Sequence, residues 1–394
     1  MKMINSQSDI NVSRILRLIW QKNGISRIEI ATELGLDKST VTKIVSSLVN
    51  IGIVSEYAQG TTGPLGGRKP VYLEITKSFA AVGGIEINLE GFVCCLLDLP
   101  GNVLFEYTEK MPVNDCLEVF ERARMVLKAE AEKRNIKIVG IGTGLSGVVN
   151  SDAGIILQSI PLSVSSPFPF SHLASVRAEM PVLIENDARC CCYSERTLLH
   201  DMGTQNSIFL LMEIRQKQEK ARLDGSQISV GTGLIINGKI YKGNDFSAGE
   251  FRSLLWNGSK LGQFLSIEEN MEKAEADINE KNSIFYELAM HVAFLVNMLN
   301  LETVYIGGLP EDYAQKLAEM INKRIVYQWP YDTTHNCEVR LSSLGHLAVA
   351  FGAAGMFIDR FFALPSLASP LGTGPSILES LSEINATGHI GKLV

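Results

Sequence analysis

No run of apolar residues in this chain approaches the roughly 20 needed to span a bilayer. The first residues, Met1-Lys2-Met3-Ile4-Asn5-Ser6, lack the apolar stretch and small-residue cleavage site of a signal peptide. Both absences point to a cytoplasmic protein with no membrane partner. Cysteine is scarce as well: seven in 394 residues, an odd number, which argues against a disulfide framework. Three of them are consecutive, Cys190-Cys191-Cys192, but neighbours on a helix point about 100° apart and cannot converge on one ion. Small buried hydrophobes are the expectation there. Neither sign of charge dominates. A net charge of −7, with 20% charged and 46% hydrophobic residues, is an ordinary globular balance. The length calls for two or three domains.

The charge is unevenly placed. Residues 1–78 hold ten Lys/Arg against six Asp/Glu, while the remainder holds 26 against 37. A mildly basic head on an acidic body fits DNA contact confined to the head.

Within that head, Val12, Ile15, Leu16, Leu18 and Ile19 form one helical stripe. Ser26 and Glu29 make a capping box that starts a second helix, and Gly35 ends it. A third helix starts at Asp37 or Lys38. It turns Val41, Ile44, Val45 and Leu48 inward and Ser39, Thr40, Thr42, Lys43 and Ser46 outward, and stops at Gly52. Strands over 53–57 and 71–75 then flank a loop containing Gly66-Gly67-Arg68-Lys69-Pro70. Three helices, a tight turn, a small-polar outer face and a short basic loop describe a winged helix-turn-helix. Lys38, Ser39, Thr40, Thr42 and Lys43 are the candidate contacts to the major groove, and Arg68 and Lys69 those to the minor groove. The alternative for the third helix is an ordinary polar surface.

The rest reads as an internal duplication. Three strands (82–87, 91–97, 103–110) precede a helix (116–134) and strands at 138–143 and 182–185. The pattern recurs as strands at 207–212, 229–236 and 240–241, a helix over 283–300, a strand at 303–306, a helix over 311–326, a strand at 338–341 and a helix over 344–362. Two such copies predict an α/β fold of the two-lobed, actin-like (ribonuclease H-like) kind, with its ligand cleft between the lobes. The expected division is a winged helix-turn-helix over 1–78, lobe I over 79–187 with the 344–362 helix packing back on it, lobe II over 188–343, and a Pro/Gly/Ser-rich tail over 363–394. The charged stretch 216–224 reads as a solvated insertion.

Several stretches, in order, resemble the ROK family of sugar-responsive repressors and sugar kinases, and specifically its repressor branch with an added winged helix. They are 140–149 (GIGTGLSGVV), Ile184-Glu185-Asn186-Asp187-Ala188, 231–239 (GTGLIINGK), Ala248-Gly249-Glu250, Tyr305-Ile306-Gly307-Gly308 and 349–354 (VAFGAA). The resemblance spans residues 10–362. It implies a sugar site at Asn186 and Asp187, with Asp187 as the general base if the protein is a kinase. Read without the resemblance, Asn-Asp at a strand–helix junction is also an ordinary helix cap. Glu250 matches the family's sugar-hydroxyl glutamate, and Gly231 and Gly233 would bring backbone amides to the cleft. Glu268 is the nearest candidate for the family's last sugar-binding glutamate. Arg252 and Arg189 stand where the family has Gly and Asn. Two arginines beside the cleft would favour an acidic or phosphorylated sugar, unless they pair with Glu195 or Glu250 or face solvent.

The departures from the family bear on chemistry. Kinases of this fold begin with Asp-x-Gly-x-Thr, a hairpin that cradles phosphate. Here it is Glu86-Ile87-Asn88-Leu89-Glu90, which looks unfit for ATP. The family's zinc site needs a Cys-rich run after Glu-x-Gly-His. This chain has Glu250-Phe251-Arg252-Ser253 and no Cys between Cys192 and Cys337, so no zinc is expected. The reading is a non-enzymatic, sugar-responsive regulator, a repressor of a carbohydrate-utilisation operon, whose partners are operator DNA and a sugar or sugar-phosphate effector. A single winged helix has too small a footprint for high specificity, so a homodimer on a palindrome is expected, with a tetramer left open. The competing reading is an ATP-dependent hexose or hexosamine kinase.

Overall fold

The computed structural model describes residues 7–58, 71–199, 204–214, 228–257, 262–265, 284–333, 335–363 and 377–387. The head is built from α1 (Gln7–Gln21), a short β1 (Ile25–Ser26), α2 (Arg27–Leu34), α3 (Lys38–Ile51), β2 (Val54–Ala58) and β3 (Val71–Ile75). The capping box forms: Ser26 Oγ accepts from the Glu29 amide at 3.3 Å while Glu29 Oε2 accepts from the Ser26 amide at 2.8 Å. Gly35, in the left-handed region, donates to the last carbonyls of α2 and ends it. Two residues then suffice before α3 begins, which is the tight turn the motif needs. The strands order as β1-β3-β2, with β1 an unforeseen third strand against β3. The wing loop, with Arg68 and Lys69, lies outside the described residues.

The body contains two sheets of the same design. In lobe I, β4 (Ala81–Asn88), β5 (Gly91–Asp98) and β6 (Val103–Lys110) run antiparallel, and β7 (Ile138–Leu145) and β10 (Val182–Asn186) extend them in parallel. The order is β10-β7-β4-β5-β6. In lobe II, β11 (Ser207–Ile214), β12 (Ile228–Ile236) and β13 (Lys239–Ile240) are the antiparallel part, and β14 (Thr303–Gly307) and β15 (Glu338–Leu341) the parallel part, ordered β13-β12-β11-β14-β15. This is the duplicated, actin-like architecture. Helices α4 (Cys116–Lys133) and α5 (Phe170–Ala178) cover the outer face of lobe I, and α7 (Ile284–Leu299) and α8 (Glu311–Gln328) that of lobe II. A small ribbon, β8 (Val148–Asn150) with β9 (Ile155–Gln158), projects from lobe I.

Two helices fill the space between the sheets. Helix α6 (Asp187–Leu199) packs on β11 and β12, α9 (Ala348–Phe362) packs on β4, β5 and β7, and the two pack on each other. Cys190, Cys191 and Cys192 are buried free thiols in this layer. Burial pushes the Cys190 and Cys191 thiols well up, so they are inert hydrophobes.

One core was not foreseen. The head's apolar residues form a single cluster with Val82, Val93, Cys95 and Leu97 of lobe I, the inner side of α9, and a last helix, α10 (Ile377–Thr387). The stretch read as a tail therefore contains a packed helix. Its apolar residues, Ile377, Leu378, Leu381 and Ile384, span only two turns in a stretch rich in Pro, Gly and Ser, so they do not stand out in sequence. Among the described residues, no helix is long and apolar enough to cross a membrane.

Ser26→Ala removes one half of the capping box at an exposed helix start. It should lower stability by about 1 kcal/mol, read as a shifted denaturant midpoint in the first transition that reports on the head. An unchanged midpoint would mean that packing alone holds α2.

Candidate functional site

Strand β10 passes into α6 with no intervening loop, so Asn186 is the last strand residue and Asp187 the first helical one. The Asn186 carboxamide oxygen accepts from the Arg189 amide at 3.1 Å, a cap on the helix. Its Nδ2 donates to the Gly147 carbonyl at 3.1 Å and to Asp187 Oδ1 at 2.9 Å. Asp187 Oδ1 also accepts from the Ala188 amide at 2.7 Å. Asn186 is thus both a cap and the group that orients Asp187. Burial raises the Asp187 carboxyl above the usual aspartate value, against the downward pull of hydrogen bonds from Ser146 and Ala188.

Lobe II brings Glu250 to the same place. Gly249, at φ +98°, lies so close to β12 that a Cβ there would collide with the Thr232 carbonyl. The Thr232 hydroxyl donates to the Gly249 carbonyl at 2.8 Å. This clasp sets Glu250, itself exposed, at the mouth of the cleft, where partial desolvation and the charge of Asp187 raise its carboxyl. Gly231 lies opposite: a Cβ there would sit 3.8 Å from Asp187 Oδ1. Asn186, Asp187, Gly231 and Glu250 therefore converge from both lobes.

Other expected members are placed differently. A Cβ at Gly233 would collide with the Ala188 carbonyl and Cys192 Sγ, so this glycine lets β12 pack closely against α6. Arg189 is 1% exposed and committed within the protein. Its Nε donates to Glu185 Oε1 at 2.7 Å, and its two terminal nitrogens donate to the carbonyls of Phe246 and Val149, each at 2.9 Å. Val149 belongs to lobe I and Phe246 to lobe II, so Arg189 staples the lobes together beneath the cleft. Arg252 is exposed and lies over the Trp256 ring, 4.3 Å from its centroid. The pair of arginines expected to attract an anion is not assembled. Arg189 has found the buried carboxylate four residues before it, and Arg252 has found an aromatic face. Glu268 and the 216–224 insertion lie outside the described residues.

Two further carboxylates face this region. Glu86 of β4 is 9% exposed, and burial together with repulsion from Glu213 and Asp187 pushes it up to about 8. Glu213, near the end of β11, had no sequence signal beyond being a lone acid in an apolar strand. Sequence reasoning also missed Gln263. Its side-chain amide accepts from the Val230 amide (2.8 Å) and donates to the Val230 and Phe251 carbonyls (2.7 and 2.9 Å). It pairs with β12 as a strand would, and so holds the loop that carries Glu250. Ser253, where the resemblance would place a zinc ligand, donates its amide to the Gln263 carbonyl at 2.8 Å. His291 Nε2 accepts from the Leu254 amide at 3.0 Å while its Nδ1 meets the Glu287 carbonyl at 2.6 Å. Among the described residues, no group of three or more His, Cys, Asp or Glu could hold a metal ion.

On the head, Lys38, Ser39, Thr42 and Lys43 are exposed along α3 and Thr40 is half-buried. The Thr42 hydroxyl donates to the Lys38 carbonyl at 2.7 Å, leaving its methyl and oxygen lone pairs outward.

Residues 82–252 match the ROK family, and residues 8–55 match a winged helix-turn-helix DNA-binding domain. The xylose repressor of Caldicellulosiruptor bescii is 24% identical over 411 residues, covering 91% of this chain and 98% of that protein. The DNA-binding transcriptional dual regulator NagC of Escherichia coli is 25% identical over 246 residues, covering 61% and 56%. Among solved structures, a ROK family transcriptional regulator described as a homolog of the E. coli MLC protein superposes with a TM-score of 0.68 at 21% identity, covering 89% of this chain and 95% of that one. The ROK hexokinase of Thermus thermophilus superposes on the body alone, with a TM-score of 0.52 at 19% identity, covering 71% of this chain and 98% of that one.

Arg189→Ala strips a buried carboxylate and two carbonyls of their partner. It should cost about 3–5 kcal/mol of stability in chemical denaturation. A stable variant with weakened ligand binding would instead return Arg189 to the ligand. Glu86 makes a separate prediction. Its folded-state value of about 8 lies above its ordinary 4.5, so the folded protein keeps a proton that the unfolded chain has lost. The stability it contributes is complete below about pH 4.5 and is lost as the pH rises towards 8. Glu86→Gln should flatten the fall of melting temperature across that window, and an unaltered slope would show that the carboxyl is solvated.

Proposed function

Because this chain joins a ROK-family domain to an N-terminal winged helix-turn-helix, we propose that it is a sugar-responsive transcriptional repressor of a carbohydrate operon, with its effector held between the lobes. The observation that carries the reading is the convergence of Asn186, Asp187 and Glu250 from the two sides of one cleft, behind a head whose α3 leaves a small-polar and basic face open. Carboxylates at Asp187 and Glu250 are fitted to accept from sugar hydroxyls. A ligand that contacts both lobes biases their relative placement, provided it binds one arrangement more tightly than the other. Operator DNA and a sugar are the partners, with the operator read by a homodimer.

The effector is a neutral sugar. Asp187 lies close enough to Glu250 and to Glu86 to raise their carboxyls, Glu213 adds to the rise at Glu86, and Arg189 is spent on Glu185 and two carbonyls. A phosphate or carboxylate on the ligand would meet these carboxyl groups, and among the described residues the two arginines expected beside the cleft, Arg189 and Arg252, are already engaged.

Several features count against catalysis. At the β4–β5 turn, the Glu90 amide donates to Asn88 Oδ1 at 3.0 Å, so the tip is closed on itself, and Glu90 pairs with Lys110 at 2.5 Å. Across the cleft, Gly307-Gly308 is followed by Leu309-Pro310 and by an α8 whose first turn carries Glu311 and Asp312. The tip closed on itself at Asn88 and the acidic first turn of α8 both oppose a phosphate chain.

The test is a thermal-shift screen against neutral sugars, amino sugars, sugar acids and sugar phosphates, each with and without Mg-ATP. A native-state ligand raises the melting point by mass action. The expected result is a shift from one neutral sugar and none from Mg-ATP. Asp187→Ala should weaken the sugar by roughly ten- to a hundredfold, the worth of a charge-assisted hydrogen bond of about 1.5–3 kcal/mol. ADP release that depends on Asp187 would overturn the reading in favour of a kinase.

A further inference from the structure

Lobe I, lobe II and α9 meet at one carboxylate oxygen. Asp152, in the turn of the β8–β9 ribbon, accepts through Oδ1 from Lys242 Nζ at 2.7 Å and from Arg360 Nη2 at 3.3 Å. Lys242 lies in lobe II just after β13, and Arg360 in the last turn of α9. Two cations thus share one oxygen, and the shorter contact belongs to Lys242.

Each cation leads into a different part of the molecule. Lys242 opens the loop that carries Glu250. Its carbonyl accepts from the Ala248 amide at 3.3 Å, two residues before Glu250, so the loop closes on itself. The middle of the loop is held as well. The Phe246 carbonyl accepts from Arg189 at 2.9 Å, and Phe246 itself sits at φ +66°, a conformation rare for an aromatic residue. Whatever draws Glu250 into the cleft therefore pulls on Lys242. Arg360 leads the other way. Its neighbour Asp359 pairs with Arg17 of α1 at 3.0 Å, and Phe362 stacks on Trp20 of α1 with ring centroids 5.2 Å apart. These ion pairs are partly exposed and add little stability. Contacts that weak can be exchanged without unfolding the chain. When Lys242 leaves, the long Arg360 contact to Asp152 is free to shorten.

We infer that Asp152 is a switch point that couples the Glu250 loop of lobe II to the head. Ligand at Glu250 withdraws Lys242, Asp152 closes on Arg360, and the last turn of α9 carries Arg17 and Trp20 with it. This rests on the reading of Glu250 as a ligand contact and of the head as a DNA reader. Asp152, Lys242 and Arg360 touch neither ligand nor DNA in this scheme and act as positioning residues.

The test uses the full chain without sugar and a duplex that it enriches from a random-sequence library. Lys242→Met mimics the withdrawn state, Arg360→Met and Asp152→Asn break the junction, and Lys323→Met removes the same charge from α8 as a control. Melting temperatures close to wild type show that the variants fold. Duplex affinity is measured, and hydrogen exchange is followed in α1 and, separately, in β11. For Lys242→Met we expect at least about fivefold weaker duplex binding, the lower end of ordinary allosteric coupling, with altered exchange in α1 and unaltered exchange in β11. Adding Lys242→Met to Arg360→Met or to Asp152→Asn should change neither readout further, because the signal passes through both residues. By reciprocity, the duplex should alter exchange across 241–250 in the wild-type chain and not in Asp152→Asn. Lys323→Met should behave as wild type. Unaltered duplex affinity and α1 exchange in Lys242→Met would overturn the switch, and so would an effect of Lys242→Met that persists undiminished without Arg360. Failure of the wild-type chain to enrich any duplex would overturn the DNA reading instead, and exchange in α1 then decides the switch alone.

Discussion

Everything functional in this molecule hangs on the packing of α6 against α9 between the two sheets. The N-terminus of α6 carries Asp187 into the cleft, and the C-terminus of α9 carries Asp359 and Phe362 to the head. One helix pair therefore spans from the cleft at Asp187 to the seat of the head. The approach is close because small residues line it. A Cβ at Gly352 of α9 would fall on the Cys190 carbonyl of α6. Interiors packed to this density do not deform continuously, so a displacement at one end is passed on as a rigid shift.

The same layer governs the electrostatics of the cleft. Arg189 holds the buried Glu185, and it reaches the Val149 and Phe246 carbonyls from either lobe. The positive charge nearest the pocket is thereby turned into structure. Burial raises the carboxyls left there, Asp187, Glu250 and Glu86, above their ordinary values. On the far side, Lys242 of lobe II pairs with Asp152 of lobe I at 2.7 Å, and Arg360 of α9 meets the same oxygen at 3.3 Å. These exposed pairs add little stability, but they bring lobe I, lobe II and α9 together at one carboxylate.

The head was legible because its signals are local. Ser26 with Glu29, Gly35 three positions before α3, and the inward stripe Val41, Ile44, Val45 and Leu48 each state a helix boundary or a buried face within a few residues. The duplicated body was legible for a similar reason: strand and helix periodicities repeat in the same order, and the two sheets follow the same strand order. Of the site, the Asn186-Asp187 junction and the Ala248-Gly249-Glu250 turn could be picked out as short motifs.

Partner choice was not legible. Nothing within ten residues of Arg189 says that it will bind Phe246, 57 positions away, or Val149, 40 positions before it. Glu213 meets Glu86 only because the two lobes close on each other, and Gln263 reaches Val230 only because the loop folds back on the free edge of β12. The last helix is the clearest case. Its buried stripe, Ile377, Leu381 and Ile384, is too short to announce a helix, and it is covered only when the head and lobe I together supply a surface to bury it. Amino-acid order settled which segments are helix or strand and which fold they build, since those depend on neighbours a turn or a pleat away. Which charges are spent and which remain for a ligand was decided by tertiary packing, since that depends on groups that only the finished fold brings within hydrogen-bond reach.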